Sequence, residues 1–246
     1  MKPGPVEAFA VEYIPLVQEG HDIASMILDR TSLSEGDIIV VASKIVSKSE
    51  GRIAKAKDVI VSEKAQEIAD MNGFNPVHVE LALREAVGII RNRGVLITQT
   101  KTGLVCNFSG VDKSNAPDEE YVLLPEDPDA SAARIRKRMV EMTGSKIAVI
   151  VSDTHGRPWR RGSINIAIGC SGINAFKFNV GKRDLYGRIL KRSTVCQIDE
   201  IAAYVEPLMG QANEGVPVVI VRGYDYTTGN EKASDINRSR EEDLFR

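Results

Sequence analysis

The sequence predicts an α+β protein, a two-lobed mixed α/β architecture with antiparallel hairpin elements. Three observations carry that prediction. Short apolar runs rich in β-branched residues are spread along the chain, and amphipathic helical stretches fall between them at irregular intervals. One pair of runs is joined by a loop of hairpin length. A strict alternation of strand and helix would point instead to a regular βαβ array.

Taken in order, Gly36 leads into Asp37–Ala42, an apolar strand candidate. Ser62 to Asn72 carries good helix formers and stops at Gly73, a residue suited to a helix C-terminus. Val77 to Val87 sets Val79, Leu81, Leu83 and Val87 among charges and reads as a second helix. Val95–Thr100 and Leu104–Phe108 flank Lys101-Thr102-Gly103 as a hairpin. Ser131 to Met142 places Ile135, Met139 and Met142 at helical spacing and ends near Gly144. Ile147–Val151 is the next strand. Ile198 to Leu208 follows as a helix, with Ile198, Ile201, Ala202 and Val205 on one face. Val216–Val221 closes the series, with Pro217 near a strand end, where a missing N–H matters least. No internal repeat or low-complexity tract interrupts this order.

Composition narrows the function classes. In 246 residues, 32 basic side chains face 34 acidic ones, a net charge of -2. That balance argues against broad electrostatic attraction to nucleic acid or an anionic membrane, although it allows a local basic pocket. Aromatic residues are only 5%, too few for base-stacking platforms. Cys106, Cys170 and Cys196 are far apart and odd in number, so neither a disulfide framework nor a structural zinc site is indicated. No apolar run approaches the roughly 18 residues of a spanning helix. Met1 to Pro5 leads into a mixed acidic segment, unlike a signal peptide. The expectation is a cytoplasmic protein acting on small molecules, without nucleic-acid or membrane partners.

The common nucleotide signatures are missing: there is no G-x-x-x-x-G-K-[ST] and no G-x-G-x-x-G. G-x-S-x-G and H-E-x-x-H are absent as well. Four other segments stand out. Ser43–Arg52 follows the first strong strand with lysines and hydroxyls, which either collect phosphate oxygens or form a solvated turn. Phe108–Asn115 and Val151–Arg157 place Asp112 and Asp153 just beyond strand ends. There a carboxylate suits a hard cation such as Mg²⁺ or Mn²⁺, or simply caps a loop. His155 reads more readily as a packing or hydrogen-bonding residue. Leu208–Gly215 joins a helix to a strand, and its glycines permit close approach to a ligand or merely a flexible connection. Finally, Arg157, Arg160, Arg161, Lys182, Arg183, Arg188, Lys191 and Arg192 crowd one stretch, fitting an anionic substrate or an ion-paired surface.

Together these segments resemble the coenzyme F420-0:L-glutamate ligase family, the γ-glutamyl ligases. The resemblance runs nearly end to end. It begins with Ile14-Pro15-Leu16 and Glu19–Asp22, then takes in Ser43-Lys44, Ser47–Arg52, Gly110–Asp112 with Ser114-Asn115, Leu123–Pro125 and Asp127–Asp129. Its most specific blocks are Ser152–Arg157 through Arg161-Gly162 and Ala167–Gly169. Lys182–Arg188, Asp199–Ala202, Leu208–Gly210 and Arg240–Arg246 complete it.

The resemblance implies a GTP-dependent ligase that adds L-glutamate, and further γ-linked glutamate, to coenzyme F420-0 through an acyl phosphate. It implies a homodimer and two divalent ions, Mg²⁺ or Mn²⁺, with K⁺ as a further cation. Asp112, Asp153, Thr154 and Gln211 match metal ligands, although a neutral Gln brings less charge to a cation than Glu would. Residues expected around GTP are Ile14, Pro15, Leu16, Val17, Ser43, Lys44, Lys48 and Asn115. The loop Leu208, Met209, Gly210, Gln211, Ala212, Asn213, Glu214 and Gly215 is expected there too. Asp112, Asp153, Lys48 and Arg157 form the catalytic set, stabilising charge rather than attacking substrate. The ligase domain is expected to span 1–246 without a C-terminal reductase-like domain. The rival functions are a different metal-dependent phosphohydrolase or carboxylate–amine ligase, and a non-catalytic nucleotide-binding protein.

Overall fold

The computed structural model describes residues 4–245. Met1–Pro3 and Arg246, which enter the readings of the two termini, lie outside them. The chain runs β1 (Glu7–Ala10), α1 (Ile23–Leu28), β2 (Ile38–Ala42), α2 (Ser43–Ser49), β3 (Ile53–Lys55), α3 (Glu63–Asn72) and α4 (Pro76–Glu85). It continues through β4 (Ala86–Arg91), β5 (Ile97–Thr100), β6 (Val105–Asn107), β7 (Glu120–Val122), α5 (Pro128–Thr143), β8 (Ala148–Arg157) and β9 (Arg160–Ser171). β10 (Phe176–Phe178), β11 (Thr194–Cys196), α6 (Gln197–Met209) and β12 (Val218–Arg222) end the series.

A five-stranded mixed sheet, in the order β1-β12-β2-β8-β9, forms the larger layer. Only β2 and β8 run parallel; the other neighbours are antiparallel. Side chains alternate across a strand, so Ile39 and Val41 face one side while Ile38 and Val40 face the other. The first side joins Val149, Val151 and Ile220 to Ile27 of α1, Val46 of α2 and Met139 of α5. The second joins Ile150, Val219 and Val221 to Ile198, Ile201 and Val205 of α6. Ile38 to Val41 are all at 0% exposure, and fully burying each such side chain contributes about 1.5–3 kcal/mol. Helices on both faces explain why β2 reads as an unbroken apolar run rather than an alternating one.

The smaller lobe is built between β3 and β7. It holds α3, α4, the β4-β5-β6 sheet and the β3-β7 pair. One of its cores gathers Ile68, Val79 and Leu96, and another gathers Leu81, Val111, Tyr121 and Leu123. The α+β expectation holds. Local caps fix the helices that were legible. Ser62 Oγ accepts the Ala65 N–H at 3.3 Å, and Gly73 ends α3 with φ of 70°. Asp127 and Pro128 start α5, and Gly144 ends it.

Three expectations need correction. Ser43–Ser49 is not a turn beyond a strand but the helix α2, in which Ser43 and Ser47 are buried and Lys44 and Lys48 fall one turn apart. Asp153 lies within a strand rather than past its end, because β8 runs on to Arg157 against β9 after its parallel pairing with β2 stops at Ala42 and Ser152. The helix expected through Val87 ends at Glu85, and Ala86 begins β4. Among the described residues no helix is long and apolar enough to cross a membrane.

Candidate active site

The parallel pair β2 and β8 ends on a common side, where β2 turns directly into α2. Ligands of α/β sheets bind outside the carboxyl ends of parallel strands, and a cavity of about 520 Å³ opens here. Its wall is drawn from Ile14–Val17, Ser43, Lys44, Ile45 and Lys48 of α2, the segment around Asp112, Asp153 and Thr154 of β8, Asn165 of β9 and residues 209–217.

The two lysines of α2 are held by the 112–115 segment. Lys44 Nζ pairs with Asp112 Oδ2 at 2.8 Å and donates to Ser114 Oγ at 2.6 Å. Lys48 Nζ donates to the Asn115 carbonyl at 2.7 Å. Ser114 folds back on Asp112, its N–H donating to Oδ1 at 2.7 Å and its hydroxyl to Oδ2 at 2.9 Å. Asn115, at a positive φ of 54°, donates through Nδ2 to the Ala212 carbonyl at 3.0 Å and so ties this segment to the 210–215 loop. Burial alone would raise the Asp112 carboxyl, but the Lys44 ammonium and the Ser114 donors outweigh it and hold the group below its ordinary value. Lys48 is pushed below the usual lysine range by desolvation and by the neighbouring charge of Lys44.

Asp153 is the opposite case. Desolvation pushes its carboxyl up to about 6, against the opposing pull of the Ser43 hydroxyl and the Lys44 charge, with the Asp112 charge adding to the rise. Ser43 Oγ donates to Asp153 Oδ1 at 2.6 Å. Asp153, half-buried at the cavity wall and raised by desolvation and by the Asp112 charge, is short of positive charge. The surrounding donors are hard oxygens: Asp112, Asp153, the Thr154 and Ser43 hydroxyls and the Gln211 amide. That chemistry fits Mg²⁺ or Mn²⁺, which take a few protein oxygens and complete their shell with water or phosphate. Among the described residues no group of three or more His, Cys, Asp or Glu could hold a metal ion, so a soft or structural metal finds no cluster.

Nearly all the residues singled out in the sequence meet here. Ile14, Pro15, Leu16, Val17, Ser43, Lys44, Lys48, Asp112, Asn115, Asp153 and Thr154 line the cavity, as do Met209 to Gly215. Leu208 does not; it is 40% exposed on the last turn of α6. Arg157 lies outside the lining, donating to the Gly162 carbonyl at 3.2 Å and the Arg161 carbonyl at 3.1 Å across the β8–β9 hairpin. His155 Nε2 is hydrogen-bonded to the Val105 carbonyl of β6 at 2.8 Å, with the carbonyl accepting. Lys182, Arg183 and Arg188 are exposed on the excursion between β10 and β11. Sequence reasoning passed over Asn165 as a site residue. It stands opposite Thr154 in the β8–β9 register, a relation that appears only once the two strands are paired.

Residues 13–223 match the model of the family described as F420-0:Gamma-glutamyl ligase. Relatives named Coenzyme F420:L-glutamate ligase are similar over nearly their whole length. The protein from Archaeoglobus fulgidus is 42% identical over 98% of this chain and 96% of its own. The one from Methanocaldococcus jannaschii is 42% identical over 98% of this chain and 97% of its own. That of Methanopyrus kandleri is 41% identical over 99% and 100%. With a match of this extent, the chain belongs to the F420-0:gamma-glutamyl ligase family.

Proposed function

We propose that this chain is a GTP-dependent ligase that joins L-glutamate to coenzyme F420-0, and adds further γ-linked glutamate, in coenzyme F420 biosynthesis. One observation carries the reading. Two lysines and two carboxylates of contrasting electrostatic environment share a single cavity with a glycine-bearing loop. A nucleotide triphosphate and a carboxylated substrate bring several negative charges together, and such a site must hold cations and anion acceptors side by side.

An ionised carboxylate is a poor electrophile, so amide formation needs activation. The γ-phosphoryl group of GTP passes to a carboxylate oxygen of coenzyme F420-0: the bond to the β-phosphate oxygen breaks, GDP leaves, and an acyl phosphate forms. The amine of glutamate then attacks the carbonyl carbon, the C–N bond forms, phosphate departs with the former carboxylate oxygen, and the amine proton is lost to solvent. Lys44 and Lys48 meet the phosphate oxygens, and in doing so Lys44 exchanges its ion pair with Asp112 for the substrate. The Gly210–Gly215 loop closes over the nucleotide, and Ile14–Val17 offers an apolar wall, with Leu16 87% exposed at its rim. Asp112 and Asp153, with Thr154 and Gln211, would hold a divalent cation, which supplies Lewis-acid stabilisation of the transferring phosphoryl group when bound. No side-chain nucleophile is required, and positioning supplies the rest of the barrier reduction.

The test is a mass-spectrometric assay of purified protein with coenzyme F420-0, GTP, glutamate and Mg²⁺ or Mn²⁺. Products heavier by one or more glutamyl units are expected. No product beside an active control ligase would overturn the reading, and GTP hydrolysis without glutamate incorporation would favour a phosphohydrolase. The same reading carries a homodimer, which light scattering of the purified protein checks.

A further inference from the structure

Two polar side chains on the cavity wall, Thr154 and Gln211, have donor hydrogens taken up by neighbours outside the expected ligand set. The Thr154 hydroxyl donates to Asn165 Oδ1 at 3.2 Å. The Gln211 amide NH₂ donates to Glu206 Oε1. The other oxygen of that carboxylate, Oε2, accepts the Asn165 backbone N–H at 2.9 Å. Asn165 is 6% exposed, on β9 directly across the hairpin from Thr154. Glu206 sits in the last turn of α6, and its carbonyl accepts the Gly210 N–H at 2.9 Å, where helix becomes loop. One carboxylate thus reaches both the strand that steadies Thr154 and the loop that carries Gln211.

A hydroxyl has one hydrogen and two lone pairs, and a primary amide has a hydrogen-bearing end and a lone-pair end. The Thr154 hydrogen is committed to Asn165, so its oxygen has lone pairs left for an occupant of the cavity. The orientation of Gln211 follows from chemistry: the flipped amide would set Oε1 against a Glu206 oxygen, acceptor against acceptor. Its Oε1 is therefore the end left for the cavity. A wall of lone pairs attracts a cation and repels phosphate oxygens, which leaves the phosphate to Lys44 and Lys48.

We infer that Asn165 and Glu206 are positioning residues that turn Thr154 and Gln211 into lone-pair donors toward a divalent cation, with Glu206 also pinning the 210–215 loop. The role rests on the reading of the cavity as a metal-dependent GTP site. The neutral amide at position 211 then has a reason: beside Glu206, a second carboxylate would lose the bond and add repulsion.

The experiment combines hydrogen exchange of the 210–215 amides in metal-free protein with Mn²⁺ titration by electron paramagnetic resonance in the presence of GTP. Gln211→Glu sets two carboxylates against each other, and loop exchange should quicken by about ten-fold. The exchanged variant Glu206→Gln/Gln211→Glu rebuilds the pair in reverse and should return exchange to within about two-fold of wild type. Asn165→Leu, which leaves the Thr154 hydrogen unclaimed, should weaken Mn²⁺ binding about 10- to 100-fold, the range for lost outer partners of metal ligands. Asn165→Asp keeps the acceptor and should not weaken it, which separates polarity from mere packing and serves if the Leu variant fails to fold. Unchanged loop exchange in Gln211→Glu, or a double variant no better than the single, overturns the role of Glu206. Weakened Mn²⁺ binding in Asn165→Asp, or wild-type Mn²⁺ binding in a folded Asn165→Leu protein, overturns that of Asn165. If no form binds GTP while loop exchange follows the exchanged pair, the pinning of the loop stands and the ligase reading falls. GTP binding with a failed exchange gives the reverse.

Discussion

Two regions of this molecule are rich in basic side chains, and the structure treats them differently. Around the β2 and β8 ends, Lys44 and Lys48 are each bound to a named partner, Asp112 and the Asn115 carbonyl, and face a cavity. On the β8–β9 hairpin and the 179–193 excursion, Arg160, Arg161, Lys182, Arg183 and Arg188 are exposed and lie outside the lining of that cavity. Density of charge along the sequence is higher in the second region. What sets the first region apart is a helix that starts at a strand end, so that Ser43 and Lys44 in its first turn meet carboxylates from two other segments, Asp153 and Asp112, and Lys48 one turn on meets the Asn115 carbonyl.

The comparison is broken most severely by removing a carboxylate. Asp153→Asn or Asp112→Asn should cut ligation by about 10³-fold if the cation's charge supplies several kcal/mol to the transition state. Unchanged thermal unfolding would show that the fold survives. Near-normal turnover in either folded variant would remove the metal assignment. Lys44→Gln comes next. A hydrogen bond to a charged group contributes about 1.5–3 kcal/mol, so kcat/KM for GTP should fall by about 10- to 100-fold in steady-state assays. The same change strips Asp112 of the ammonium that holds its carboxyl down, so its titration followed by NMR should move upward.

A smaller effect separates the cavity from the lobe beneath it. His78 stacks on Phe108 with centroids 4.2 Å apart, and its Nε2 is 2.8 Å from the Val111 carbonyl, one residue before Asp112. Desolvation lowers its pKa from the ordinary histidine value, so the unfolded chain takes up the proton more readily than the folded one. Its contribution to stability is present above the unfolded value and is lost as pH falls toward the folded one. Between about pH 7.5 and about pH 5.5 the Tm of the wild type should therefore drop more steeply than that of His78→Gln. Least of all, Arg183→Gln with Arg188→Gln should leave kcat/KM within about two-fold, since exposed charges contribute little on their own. A loss comparable to that of Lys44→Gln would erase the distinction between the two basic regions.

The parts of this architecture that are written locally were legible. Ser62 and Gly73 mark α3, Asp127, Pro128 and Gly144 bracket α5, and the apolar runs of β2, β8 and β12 announce strands buried on both faces. Helix α2 was hidden because its buried face is half hydroxyl: Ser43 and Ser47 occupy positions where a helix ordinarily shows apolar residues. Strand β9, Arg160–Ser171, was hidden for a different reason. Its Ile164, Ile166 and Ile168 alternate as in a strand, but Arg160, Arg161, Gly162 and Gly169 flank them, and the pairing with β8 shows only in the folded hairpin. The site followed the same division. Most cavity-lining residues fall on the sequence blocks singled out, while Asn165 and Glu206 reach Thr154 and Gln211 through strand register and the end of a helix, which no linear pattern displays.

Under the proposed function, one cavity at the ends of β2 and β8 activates a carboxylate by phosphoryl transfer. Labelling the reacting carboxylate of coenzyme F420-0 with ¹⁸O and following the label into inorganic phosphate during ligation tests it most directly. The account predicts one labelled oxygen in phosphate for each amide formed, with neither product nor labelled phosphate in Asp153→Asn. Amide formation with unlabelled phosphate would contradict it.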